Sequence, residues 1–193
     1  MRSETIKDRI KASMSVKQLI FEDQSLIAQV DDLIILLKDT LKLGNQVLIC
    51  GNGGSAADAL HLAAEFSGRF YLDRKALPVE ALNVNEAALT AIANDFGYDK
   101  LFARLVQAKG RRNDVLWLLT TSGASKNIIQ AAIQANNMGL KVVAFTGQKA
   151  SELDKIVDVA VKVPSTDTPR IQECQLMLGH IICELIEKEL FDE

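Results

Sequence analysis

At 193 residues, with 48% hydrophobic and 24% charged side chains, the chain has the make-up of one soluble globular domain with a full core, and is short for two. Its formal net charge of -3 gives no basic footprint for nucleic acid, and no apolar run approaches the roughly 20 residues that span a bilayer. Small molecules and further copies of the chain are the partners this leaves.

The start, MRSETIKDRIKAS, lacks the uninterrupted apolar segment of a signal peptide, so a cytoplasmic location is expected. Residues 1–43 carry apolar side chains at helical spacing, first Ile6, Ile10 and Met14, then Leu26, Ile27, Val30, Leu33, Ile34 and Leu37. They predict two helices, the second ending at Gly44. Two helices ahead of the first strand have more apolar surface than one small sheet can cover, so part of it is expected to pack against another subunit.

From residue 46 short apolar runs alternate with helical stretches. Strands are expected at 46–50, 79–82, 115–119, 141–145 and 157–163, and helices at about 55–67, 85–93, 100–108, 125–137 and 169–190. This is the pattern of a doubly wound α/β fold, a five-stranded parallel sheet with helices on both faces, two leading helices and a long C-terminal one. Residues 70–77, FYLDRKAL, are the best candidate for a mobile or partner-facing loop. Cys50, Cys174 and Cys183 lack zinc-finger spacing and sit among apolar residues, as buried free thiols do.

In open α/β sheets ligands bind outside the carboxyl ends of the strands, near the point where strand order reverses. The first strand runs into Gly51-Asn52-Gly53-Gly54-Ser55 and directly into a helix. Glycines and unpaired helix N–H groups suit an anion or a sugar hydroxyl; the same residues also make a plain tight turn with Ser55 as N-cap. The strand at 115–119 runs into Thr120-Thr121-Ser122-Gly123-Ala124-Ser125. One hydroxyl caps a helix, and four exceed that need; together with the helix start they offer donors to phosphate oxygens. Neither a Gly-Lys-Ser/Thr ending nor G-x-G-x-x-G is present, so phosphate on a small molecule is expected rather than a nucleotide. Asn94-Asp95, after a helical run ending at Ala93, form a third polar loop or a turn alone.

The chain has two histidines. His61 and Glu65, four apart, share one helical face, and Gln172 and His180, eight apart, lie within one half of a helix circumference. A histidine on a half-buried helix is more often packed and hydrogen-bonded than a ligand, and the His61-Glu65 pair also fits an exposed, solvated face. A glutamate within an apolar surface, however, needs a partner or a task. Gln172 and His180 sit in a stretch that is apolar almost all round, where polar groups require satisfaction. If the two pairs converge, two imidazoles, a carboxylate and an amide oxygen suit zinc or another divalent transition metal. They serve equally as a general acid and base without one.

Taken together, GNGGS, His61 with Glu65, Ser67-Gly68-Arg69, Asn94-Asp95-Phe96-Gly97, Thr121-Ser122-Gly123 with Ser125, and Arg170-Ile171-Gln172-Glu173 with His180 closely resemble the phosphoheptose isomerases of the sugar isomerase (SIS) fold. The resemblance covers nearly the whole chain. It implies one SIS domain over 1–193, with the helices of 1–43 used in oligomer packing. It implies interconversion of sedoheptulose 7-phosphate and D-glycero-D-manno-heptose 7-phosphate through an ene-diol. That is the first step toward the ADP- or GDP-heptose precursors of bacterial surface polysaccharide, lipopolysaccharide or capsule. A homotetramer with sites between subunits, and one zinc per subunit, are implied as well.

Carried across by matching position, Glu65 is the base and His180 its acid-base partner, while His61, Glu65, Gln172 and His180 are the metal ligands. Asn52, Gly53, Gly54, Ser55, Glu65, Asn94, Asp95, Thr120, Thr121, Ser122, Ser125 and Gln172 are the substrate-binding positions. The departures are Ala56-Ala57 where some members carry His-Cys, and Thr120 and Ala124 where Ser and Asn are frequent. Thr120 keeps a hydroxyl; Ala124 lacks an amide, which bears on substrate preference. The alternative is a non-catalytic SIS protein that binds a replication initiator, but such proteins have lost the glutamate and C-terminal histidine that this chain retains. Sugar-phosphate sensors fused to DNA-binding domains carry a basic helix-turn-helix segment that is not evident ahead of this sheet.

Overall fold

The computed structural model describes residues 2–191; Met1, Asp192 and Glu193 lie outside the described residues. Helices α1 (Arg2–Glu22) and α2 (Gln24–Lys42) meet at Asp23, whose carboxylate caps α2 by accepting from the N–H groups of Ser25 and Leu26. The chain then alternates: β1 (Val47–Gly51), α3 (Gly54–Ser67), β2 (Val79–Ala81), α4 (Glu86–Phe96), α5 (Leu101–Lys109), β3 (Val115–Leu119), α6 (Lys126–Met138), β4 (Lys141–Gly147), β5 (Val159–Val163) and α7 (Thr168–Phe191). Short 3-10 turns occupy Tyr98–Lys100 and Glu152–Lys155.

The five strands are parallel in the order β2-β1-β3-β4-β5, and β1 and β3 are buried at every position, as a sheet covered on both faces requires. Because successive strand residues point to opposite faces, Val47 and Ile49 join a core with α1, α2, α3 and α7, while Leu48 and Cys50 pack with α5 and α6. The strand order reverses between β1 and β3. Gly51 pairs in register with Leu119, so the loops that follow these two strands leave the carboxyl edge side by side. This is the crevice in which an open α/β sheet takes its ligand.

One sequence expectation fails here. The helix expected to stop at Ala93 continues to Phe96, so Asn94 and Asp95 form its last turn and not a loop. Asn and Asp are weak turn signals beside Gly97, which ends the helix at a φ of 84°. The Arg104 guanidinium lies 3.7 Å from the centroid of the Phe96 ring and ties down that final turn.

Residues 70–77 are irregular, as expected, and their first part is anchored to α7 by hydrogen bonds. Glu187 on α7 accepts hydrogen bonds from the N–H groups of Phe70 (3.1 Å), Tyr71 (2.6 Å) and Leu72 (2.9 Å), and from Arg74 Nε (2.9 Å). Arg74 in turn donates to the carbonyls of Glu65, Phe66, Gly68 and Lys75. Both side chains are buried, at 3% and 2% exposure. A buried ion pair of this kind holds only because nearly every donor and acceptor around it is used.

The first helix carries the expected apolar surplus: α1 buries Ser13, Val16 and Ile20 but exposes Ile6, Ile10 and Met14 along one face. All three cysteines are buried and free. Among the described residues no helix is long and apolar enough to cross a membrane.

Burial pushes the Glu187 carboxyl up, but the three N–H groups and Arg74 outweigh it and hold the group below its ordinary value of 4.5. Its stabilising contribution is therefore present above pH 4.5 and is lost as pH falls through the lower folded value. Glu187→Gln, which leaves Arg74 buried without a counter-charge, should cost about 3 kcal/mol or more at neutral pH in urea unfolding. The gap from wild type should narrow in acid, where the wild type loses the same charge; a small or pH-independent gap would contradict this account.

Candidate active site

The turn from β1 into α3 is built on glycine for two reasons. Gly53, at φ 55° and ψ -120°, has a backbone that other residues rarely adopt, and it occupies the N-cap without a side-chain bond. Ser55, the cap expected of a plain turn, is instead buried in the first helical turn at 3% exposure. Gly54 lies under the amide of Gln172 from α7; a Cβ there would stand 2.5 Å from Gln172 Nε2. The glycine loop and the C-terminal helix are therefore in direct contact.

Further along, α3 and α7 pack closely through Gly179, where a Cβ would lie 2.6 Å from Cδ2 of the buried Leu62. His180, the next residue, consequently reaches the histidine of α3. His180 Nε2 stands 3.0 Å from His61 Nε2, and His61 Nε2 stands 3.2 Å from Glu65 Oε1, one turn away on the same helix. One donor atom from each of these three residues lies within 4.8 Å of the others. Two facing imidazole nitrogens have room for one proton between them, or for a shared cation. The ring of Phe70, on the anchored segment, lies 5.7 Å from that of His180. Asp58, one turn before His61, has its carboxyl pushed up by burial and pulled the other way by His61, and its Oδ2 is buried without a protein partner.

The hydroxyl loop after β3 divides into an inner and an outer part. Thr120 is buried at 5% exposure; its Oγ1 accepts the N–H of Gly123 (3.3 Å) and its carbonyl accepts from Gln175 Nε2 on α7 (3.0 Å). Thr121 is half-buried and Ser122 exposed, with Ser122 Oγ accepting from the N–H of Ala124 (3.2 Å). Ser125 occupies the N-cap of α6, but its hydroxyl makes no capping bond, so all four hydroxyls of the loop exceed what capping uses.

Asn52, in the glycine loop, has its carboxamide clasped by that of Asn127 in the first turn of α6: Asn52 Nδ2 donates to Asn127 Oδ1 (2.9 Å) and Asn127 Nδ2 donates to Asn52 Oδ1 (2.8 Å). Tyr98 OH donates to the same Asn52 oxygen at 2.8 Å. Asn94 and Asp95 are exposed and bond to each other (2.8 Å), and Tyr98 links their end of α4 to the glycine loop. The candidate residues thus fall into two groups, one on the glycine loop, α3 and α7 and one on the hydroxyl loop, which Gln175 joins to α7, while Asn94 and Asp95 stand apart at the end of α4. Sequence reasoning missed Tyr98, Asn127 and Phe70; Tyr98, directly after the Asn94-Asp95-Phe96-Gly97 motif, carried the one local signal.

An imidazole pair beside a carboxylate can donate and accept protons within a single crevice, or ligate a divalent metal. Comparison with known proteins narrows this. Residues 11–147 match the SIS domain family. Over 97% of its length the chain is 46% identical to a phosphoheptose isomerase of Clostridium acetobutylicum, covering 96% of that protein, and 48% identical to one of Thermodesulfovibrio yellowstonii, covering 94% of it. In structure it is similar to a phosphoheptose isomerase from Neisseria gonorrhoeae, with a TM-score of 0.91 at 36% identity over 97% of this chain and 100% of that one. A family match over residues 11–147, and identities of this size over nearly the whole length, mean that the chain belongs to the SIS-domain family and, within it, to the phosphoheptose isomerases, enzymes that interconvert an aldose and a ketose.

Proposed function

We propose that this chain interconverts sedoheptulose 7-phosphate and D-glycero-D-manno-heptose 7-phosphate, in the cytoplasm, as the first step toward the activated heptose of a surface polysaccharide. The observation that carries this reading is the meeting of Glu65 with His61 and His180 beside the glycine loop, at the reversal of strand order. The phosphate sits at the hydroxyl loop, held by Thr121, Ser122 and Ser125 with Thr120 beneath them. Asn52, Gly53, Gly54, Ser55, Gln172, Asn94 and Asp95 line the path of the sugar.

The reaction moves hydrogen between adjacent carbons with no net oxidation. Starting from the ketose, the Glu65 carboxylate takes a proton from C1 while His180 delivers one to the C2 oxygen, giving the ene-diol. Glu65 then returns its proton to C2 and His180 withdraws one from the C1 oxygen, giving the aldose. A glutamate has two oxygens; Oε1 faces His61 at 3.2 Å, and the second is left for proton transfer.

The donor set also fits zinc. Ligand atoms on a tetrahedral zinc with bonds of 2.0–2.1 Å stand roughly 3.3 Å apart, close to the 3.0 and 3.2 Å found here. His61, Glu65 and His180 would hold the ion, with Gln172 as the fourth ligand. When bound, zinc supplies a Lewis acid that polarises the sugar oxygens. The exposed apolar face of Ile6, Ile10 and Met14 supports assembly through α1, and a homotetramer is the form we propose. A non-catalytic role in binding a replication initiator is disfavoured by the presence and contact of Glu65, His61 and His180.

A positioned acid or base contributes about 10²–10⁴-fold, so Glu65→Gln and His180→Gln should each lower kcat by that order in a coupled assay with sedoheptulose 7-phosphate. An inactive wild type or fully active variants would sink the proposal. Ser122→Ala should chiefly raise KM and leave kcat within a few-fold, because phosphate binding is shared by ground and transition states; a selective fall in kcat would remove Ser122 from that role. Protein purified without chelator should contain zinc by elemental analysis and His61→Ala much less; equal content would exclude His61 as a ligand.

A further inference from the structure

Asn52 stands in the substrate crevice with most of its hydrogen-bonding capacity already in use. A carboxamide has two lone pairs on oxygen and two N–H donors. Both lone pairs of Asn52 Oδ1 are taken, one by Asn127 Nδ2 at 2.8 Å and one by Tyr98 OH at 2.8 Å. One N–H of Asn52 Nδ2 goes to Asn127 Oδ1 at 2.9 Å. A single N–H is left. Asn127 is 2% exposed, so its half of the clasp is shielded from competing water.

We infer that Asn127 and Tyr98 are positioning residues that fix the Asn52 carboxamide so that it presents one N–H donor and no acceptor to the substrate. The inference rests on the proposed isomerase reading, in which Asn52 contacts the sugar phosphate. Its consequence is selectivity by hydrogen-bond polarity. An oxygen that accepts, above all a sugar oxygen gaining negative charge as the ene-diol forms, is met by a donor that needs no reorientation. A group that can only donate finds no partner at Asn52.

The two residues hold different parts of this arrangement. Asn127, at the start of α6, couples the glycine loop after β1 to the helix that follows the hydroxyl loop after β3. Tyr98, from the turn after α4, blocks the lone pair that Asn127 does not reach. Removing the Tyr98 hydroxyl frees that lone pair, so that Asn52 offers an acceptor beside its donor, while the Asn127 clasp stays and the ring is already 55% exposed.

The test is a double-mutant cycle on kcat/KM for sedoheptulose 7-phosphate, using Tyr98→Phe, Asn52→Ala and the two combined. Tyr98→Phe should lower kcat/KM about tenfold in the wild-type background and less than twofold once Asn52 is alanine, with an unchanged melting temperature throughout the Tyr98 arm. Asn52→Asp, which keeps the shape and the acceptors but loses the N–H, should be as impaired as Asn52→Ala. An equal loss from Tyr98→Phe in both backgrounds, no loss in the wild type, or an Asn52→Asp variant that keeps its activity overturns the inference while the enzyme reading stands. A wild type that turns over no heptose phosphate overturns that reading and this inference with it.

Discussion

The close approach of α7 to α3 is the constraint on which the site depends. Gly179 faces Leu62, and neither has room to retreat: Leu62 is fully buried, and a Cβ on residue 179 would lie 2.6 Å from it. Interiors packed to crystal density respond to an added methyl by moving whole elements. Because His180 follows Gly179 directly, any such movement is felt at the 3.0 Å gap between the two histidines. Gln172, two turns earlier, repeats the arrangement over Gly54. The same helix pair thus sets the spacing of His61, Glu65 and His180 at one point and the floor of the glycine loop at another.

A second layer supports this contact from behind. Glu187 lies about two turns beyond His180 on the same helix and binds the segment from Phe70 to Arg74. Arg74 returns to the carbonyls that end α3, including those of Glu65 and Phe66. The end of α3 that carries Glu65 and the part of α7 that carries His180 are therefore tied together by a buried charge pair as well as by apolar packing. Rigidity of this sort suits the proposed reaction, which relies on two side chains held at fixed separation from one sugar.

Much of the fold was legible in the sequence because burial on both sheet faces leaves continuous apolar runs, and each of the five appears within two residues of its place. The His61-Glu65 pair was legible for a similar reason, since spacing by four fixes a shared helical face. What the sequence hid is of two kinds. Asn94 and Asp95 suggested a loop through local preference, and the tertiary contact between Phe96 and Arg104 helped extend the helix past them. Glu187 with Arg74, and Asn127 with Asn52, join residues 113 and 75 positions apart, where no periodicity links one to the other. Thr120 is the subtler case: four hydroxyls looked alike in the sequence, and only the packing of the loop on Gln175 separates the buried one.

A glutamate that takes a proton from one carbon and returns it to the next distinguishes this account from a direct hydride shift between the carbons. Turnover of sedoheptulose 7-phosphate in D₂O, with the product read by NMR, separates the two most directly. Proton transfer through Glu65 predicts solvent deuterium at C2 of the aldose phosphate, whereas full conversion with no deuterium at C2 would contradict it.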